Sequence, residues 1–157
     1  MKTGDSIAKA DVFVLADGKP QQVNSIDLLA QQTVLLIAVP GAFTPTCDDQ
    51  MPGYVTQAEA FRQKGIDALY CLSINDPFVM GAWEEKLASQ GKVSMIADSN
   101  GTFTQAMDMM CDLSAAGLGA RSKRYVALIE NGVVTRLYDD GGPAFDKTKA
   151  EKVLNDL

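Results

Sequence analysis

The sequence contains no histidine. That absence removes the side chain most used as a neutral-pH base and metal ligand. A cysteine–histidine hydrolase is thereby excluded. Cysteine is scarce as well: Cys47, Cys71 and Cys111 form neither a CxxC pair nor a finger-like spacing, so no metal site is expected. A small, odd number argues against a disulfide scaffold and for a reducing compartment, with cytoplasm as the expected location. No GxGxxG or P-loop occurs, which leaves no nucleotide fingerprint, and no cofactor is expected. No apolar run reaches about 18 residues, so nothing reads as a membrane span. The opening residues 1–6 lack an apolar stretch and do not read as a secretory signal. Positive charge is in deficit, with 14 Lys and Arg against 20 Asp and Glu. The net charge of −6 disfavours nucleic-acid backbones and anionic membranes as partners.

What is present is ordinary for a globular chain: 46% hydrophobic and 22% charged residues over 157 positions, which suits one domain spanning 1–157. Val34–Val39 is short and continuously apolar, as a buried strand is. A helix is expected from Pro45 to Gln63, with Met51, Tyr54, Val55, Ala58 and Phe61 on one stripe. Ile66–Ile74 reads as a second strand, and Asn75-Asp76-Pro77 starts a helix that Gly91 ends. Its stripe is Val79, Ala82, Trp83 and Leu87. Val93–Ala97 reads as a further strand, followed by a short segment near Phe103–Met107. Asn131-Gly132 between Tyr125–Ile129 and Val133–Leu137 is a strong hairpin signal, because a type I′ turn needs positive φ twice. A last helix is expected over Lys147–Leu157 with Asp146 as N-cap. The class is therefore α/β. The element order is that of a thioredoxin-like fold with an N-terminal hairpin around Val12–Val23 and an insertion, Val93–Arg124, before the C-terminal hairpin. Thioredoxin itself is disfavoured, since there is no CxxC and no proline directly before Tyr125.

Cys47 stands where the loop after the first apolar strand becomes a helix. Unpaired N–H groups and the helix dipole favour a thiolate there. Asp48 and Asp49 oppose it as like charges, so a cation is required nearby. Arg124, in Arg121-Ser122-Lys123-Arg124 at the entry to the hairpin, is the best one available, because arginine does not lose its proton. Thr44, three residues before Cys47, can serve as N-cap or contact the sulfur. Pro40 can shield it from water. Cys71 lies mid-strand and reads as an inert core cysteine. Cys111 follows the Met-rich stretch Met107–Met110, which reads as adaptable packing.

Pro40-x-x-x-Thr44-x-x-Cys47 matches the PxxxTxxC signature of peroxiredoxins. The longer run through Pro52-Gly53-Tyr54 resembles the type-five (type II) subfamily, as do Cys71–Val79 and Asp112–Gly119 through Arg124-Tyr125. The resemblance covers essentially the whole chain. It implies a thiol peroxidase for hydrogen peroxide and small alkyl hydroperoxides, with Cys47 attacking the peroxide. It also implies that Thr44, Arg124 and the Thr46 and Cys47 amides hold the substrate while Pro40 shields the sulfur. Homodimers are common in such proteins, with Phe43, Pro77 and Phe78 as interface candidates. Many members carry a histidine at the position of Gln50, and some a resolving cysteine in the C-terminal region, where residues 112–157 have none. A one-cysteine cycle recycled by glutathione, glutaredoxin or thioredoxin is therefore expected, with Cys71 and Cys111 the only possible resolving or glutathionylated thiols. The competing reading from another class is a redox sensor or holdase whose assembly responds to oxidation of Cys47.

Overall fold

Thr33–Ala38 (β3) lies near the middle of the sheet because every side chain after Thr33 is apolar and both faces are covered. Leu35 and Ile37 enter one core; Val34, Leu36 and Ala38 enter the other, as the two-residue period of a strand requires. The computed structural model describes residues 1–157. Its strands, in chain order, are β1 (Asp11–Ala16), β2 (Lys19–Asn24), β3, β4 (Ala68–Ser73), β5 (Ser94–Ala97), β6 (Met110–Asp112), β7 (Ala120–Ser122), β8 (Tyr125–Glu130) and β9 (Val133–Asp139). Seven of them form one sheet in the order β2-β1-β5-β4-β3-β8-β9, while β6 and β7 make a separate ribbon. β3, β4 and β5 run parallel, and β8 pairs antiparallel with β3.

Helices cover both faces. α2 (Pro45–Thr56), α3 (Ala58–Gln63), α4 (Pro77–Leu87) and α6 (Ala150–Asp156) bury Met51, Tyr54, Phe61, Met80, Trp83 and Val153 on one side. α1 (Ser25–Leu29) and α5 (Thr102–Ala106) bury Leu29 and Phe103 on the other. The N-terminal hairpin extends the sheet where Phe13 of β1 meets Ala97 of β5. The thioredoxin-like arrangement, the extra hairpin and the insertion thus stand as the sequence implied, with β5 of the insertion built into the main sheet.

Three boundaries differ from the sequence reading. The helix expected over Pro45–Gln63 is two helices, because Gln57 leaves helical geometry (φ −95°, ψ 8°). Pro52, which has no N–H, has already removed one rung of the ladder upstream. The helix expected to stop at Gly91 ends earlier, with Ala88 in the left-handed region (φ 52°). Ser89 forces this by accepting both Lys92 and Val93 N–H groups, which turns the chain back toward β5. Asp146 is not the N-cap of the last helix; Lys149 occupies that position without a side-chain cap. The Asp140 carboxylate instead accepts from the Asp146, Lys147 and Thr148 amides, and the Asp146 side chain pairs with Lys152.

The register fixes the site. Ala38 at the end of β3 faces Tyr125 at the start of β8, so Arg124 arrives where the chain leaves β3 toward Cys47. The hairpin that holds β8 turns through Asn131 (φ 49°) and Gly132 (φ 83°), as expected. A Cβ on Gly132 would lie 3.1 Å from the Ala30 Cβ, and positive φ adds backbone strain. Gly132→Ala should destabilise the fold by about 1–2 kcal/mol, read as a lower urea midpoint with an unchanged slope.

Candidate active site

The loop between β3 and α2 is tied down before the helix begins. Asn75 Oδ1 accepts from the Ala42 N–H (3.0 Å) and from the Ser73 hydroxyl (2.6 Å). Phe43 takes φ 66°, and the Thr44 hydroxyl donates to the Gly41 carbonyl at 2.7 Å. Thr44 therefore occupies the N-cap position without capping, and no hydrogen bond joins it to Cys47. Pro45 takes the first helical position, where its missing N–H costs little. The first rung of α2 is Asp48 N–H to Thr44 O (2.8 Å), which leaves the Thr46 and Cys47 amides without a protein acceptor. Those two amides are free to meet a small anionic or polar ligand.

Cys47 is 0% exposed, and its Sγ accepts from Arg124 Nη2 at 3.4 Å. Arg124 is itself buried, and each part of its guanidinium is held. Nη1 donates to Gln50 Oε1, Nε donates to the Pro143 carbonyl (3.2 Å), and the Phe145 ring lies 5.7 Å from the guanidinium carbon. Gln50 Nε2 in turn reaches the Thr148 carbonyl at 3.5 Å. The cation expected beside Cys47 is thus Arg124, and the residue at the histidine position, Gln50, is its neutral acceptor.

Asp48 has its own cation, which the sequence reading did not find. Its Oδ2 accepts from Lys86 Nζ (2.6 Å) and its Oδ1 from the Trp83 indole N–H (2.7 Å). Lys86 Nζ also sits 5.4 Å above the Phe43 ring. Burial pushes the Asp48 carboxyl up, but the Lys86 and Trp83 hydrogen bonds outweigh it and hold the group below the usual aspartate range. The two aspartates had signalled that a cation was needed; nothing in the spacing said it would come from α4. Arg121 has a bracing role that its spacing alone does not show. Its Nε donates to Leu118 O (2.9 Å) and its Nη1 to Pro40 O (3.2 Å), bracing the loop. A Cβ on Gly41 would come within 2.9 Å of that Nη1.

The other cysteines are not joined to Cys47. Cys71 is fully buried on β4 beside Ile37, and burial pushes its thiol well above the ordinary value, with Cys47 adding and Arg124 opposing. Cys111 is half-buried on the β6–β7 ribbon opposite Arg121. Pro40 and Pro77 are buried, whereas Phe43 and Phe78 are exposed.

A fully buried cysteine at a helix start under a buried arginine, on this sheet, defines a redoxin, and the redoxin family profile matches residues 2–154. The chain belongs to that family. Within it, the chain is a peroxiredoxin of the type II group, a thiol-dependent peroxidase. It is 43% identical to Peroxiredoxin-2C of Oryza sativa subsp. japonica over 90% of this chain and 88% of the relative. Reduced Prx3 of Vibrio vulnificus, solved in complex with hydrogen peroxide, superposes with TM-score 0.93 at 36% identity, covering 99% of this chain and 98% of the other. The antioxidant protein of Plasmodium falciparum, described as a 1-Cys peroxiredoxin, gives TM-score 0.91 at 29% identity, covering 98% and 96%.

Because the folded Asp48 carboxyl is depressed, its contribution is present above the unfolded value near pH 3.9 and is lost as pH falls through the folded value. Lys86→Met should move the Asp48 titration upward in an NMR pH series and cost less than about 1 kcal/mol, since the pair is partly exposed. Native alkylation should modify Cys111 before Cys71, which becomes reactive only in denaturant.

Proposed function

We propose that this peroxiredoxin reduces hydrogen peroxide and small alkyl hydroperoxides through Cys47 in a one-cysteine cycle. The observation that carries this reading is the 3.4 Å contact between Cys47 Sγ and a buried Arg124 guanidinium whose Nε and Nη1 are each anchored by the protein. The Cys47 thiolate attacks the distal peroxide oxygen; an S–O bond forms as the O–O bond breaks. The leaving oxygen takes a proton and departs as water or an alcohol, and the sulfur becomes a sulfenic acid. Arg124 offers donors to both the thiolate and the oxygen on which charge develops. The free Thr46 and Cys47 amides support the same charge. The Thr44 hydroxyl, with its proton given to Gly41 O, presents lone pairs to a peroxide O–H. Pro40, buried in the loop just after β3, keeps water from the sulfur.

Recycling needs an external thiol. Its sulfur displaces water from the sulfenic acid to give a mixed disulfide, and a second thiol releases Cys47. Glutathione, glutaredoxin or thioredoxin supplies these thiols in our reading. The one-cysteine assignment is supported by the burial of Cys71, by the placement of Cys111 on a separate ribbon, and by the likeness to a protein described as 1-Cys. We further propose a homodimer through the exposed Phe43 and Phe78, which sit at the Cys47 edge, and a cytoplasmic setting suited to three unpaired thiols.

One equivalent of hydrogen peroxide should add one oxygen to Cys47 alone, trappable with dimedone and located by peptide mapping. Cys47→Ser should abolish turnover, while a Cys71→Ser/Cys111→Ser double variant should keep it with glutathione and glutaredoxin, or with thioredoxin. An intramolecular disulfide to either cysteine would replace the one-cysteine cycle with an internal resolving step. A protein oxidised once but never recycled would be a sensor instead.

A further inference from the structure

Arg124 is set by a loop rather than by the strand it precedes. Its backbone N–H donates to Gly142 O (2.8 Å), its Nε to Pro143 O (3.2 Å), and Phe145 stacks over it. All three partners belong to the segment between β9 and α6, and what shapes that segment is one carboxylate. Asp140 Oδ2 accepts from the Asp146 N–H (3.2 Å), the Thr148 N–H (3.2 Å) and the Thr148 hydroxyl (2.7 Å). Its Oδ1 accepts from the Lys147 N–H (2.7 Å). Four donors on one side chain close residues 140–148 into a ring.

The ring faces the site at two points. Gly142 and Pro143, on its outward limb, give their carbonyls to Arg124. Thr148, on its return limb and fully buried, gives its carbonyl to the Tyr54 hydroxyl (2.5 Å) and to Gln50 Nε2, whose amide oxygen holds Arg124 Nη1. The sheet fixes the origin of the ring, since Asp140 N–H donates to the Arg124 carbonyl at 3.2 Å. Burial and then the Asp140 charge push the Tyr54 phenol well above its ordinary range, which keeps it a donor.

We propose that Asp140 is a positioning residue for peroxide reduction, acting through Gly142, Pro143 and Thr148 to hold the Arg124 guanidinium over Cys47. The inference rests on the peroxidase reading above. It contributes no atom to the reaction; it fixes the direction of donors whose misplacement by an ångström can cost up to about a hundredfold in rate. Asparagine at 140 keeps the shape but replaces one acceptor oxygen with an N–H donor, so the three bonds on Oδ2 or the one on Oδ1 are lost.

The test is a double-mutant cycle on the rate of Cys47 oxidation by hydrogen peroxide, followed by Trp83 fluorescence, with Asp140→Asn, Arg124→Lys and both together. Asp140→Asn should lower kcat/KM for peroxide roughly tenfold, with kcat at saturating peroxide, which reports recycling, little changed. In the Arg124→Lys background the same substitution should cost less than about twofold, because the fork it positions is already gone. Equal losses in both backgrounds would overturn the proposal and leave Asp140 a structural residue only. Should Asp140→Asn fail to fold, Thr148→Val, which removes one of the four donors, is run in the same cycle with a smaller expected loss, and additivity there would likewise overturn it. Failure of the wild type to be oxidised by peroxide at all would sink the peroxidase reading itself, a result distinguishable from an uncoupled Asp140.

Discussion

The contact between the Arg124 guanidinium and the Cys47 sulfur is the constraint around which the rest of this molecule is arranged. A guanidinium brought out of water costs several kcal/mol unless its donors find partners. At 1% exposure Arg124 has only the protein to supply them. Gln50 and Pro143 O each accept one of its five N–H groups, the Phe145 ring lies against its face, and Nη2 turns a third N–H to the sulfur. The sulfur and the guanidinium thus complete each other's surroundings: without Cys47 the buried Nη2 would lose its acceptor.

The elements that deliver the two partners are unrelated in sequence and joined only by register. Cys47 comes off β3 through a loop whose turns are made by Gly41, Phe43 at positive φ and Pro45; Arg124 comes from the residue before β8. The antiparallel pairing of Ala38 with Tyr125 is what makes 47 and 124 neighbours. A one-residue slip would turn the Arg124 side of the chain to the opposite face of the sheet. The alternation of Tyr125, Ala127 and Ile129 against Val126 and Leu128 along β8 opposes that slip, because it would exchange the side chains that β8 gives to the two apolar cores. Geometry at the sulfur is therefore protected by hydrophobic burial far from it.

Local sequence patterns exposed much of this. The PxxxTxxC spacing, the apolar strand before it and the Asn-Gly turn gave Cys47, β3 and the C-terminal hairpin directly, since each depends on residues within a few positions of one another. The partners of the site were not legible in the same way. Lys86 and Trp83 belong to α4, and only the packing of α4 on α2 shows that they take Asp48 away from the sulfur. Gln50 could be seen as a departure from a histidine pattern, but its bonds to Arg124 and Thr148 span more than seventy positions. Asp140 drew no reading at all, and Asp146 was expected at the helix start, because an aspartate several residues upstream carries no local cue for reaching the amides of 146–148. Caps and turns are short-range and readable; a carboxylate that organises a loop is not.

The missing histidine acquires a physical meaning in this setting. The position nearest Arg124 on α2 is held by an amide, which neither gains nor loses a proton. Among its neighbours, Asp48 is held ionised by Lys86 and Trp83, while burial keeps Tyr54 and Cys71 protonated. An imidazole at position 50 would change charge near neutral pH and, once protonated, would repel the guanidinium it should anchor. Glutamine removes that liability and accepts from Arg124 in one state only. The groups that meet the guanidinium besides the sulfur are an amide, a backbone carbonyl and an aromatic ring, none of which ionises, so glutamine at position 50 anchors the cation without adding a titrating group to the site.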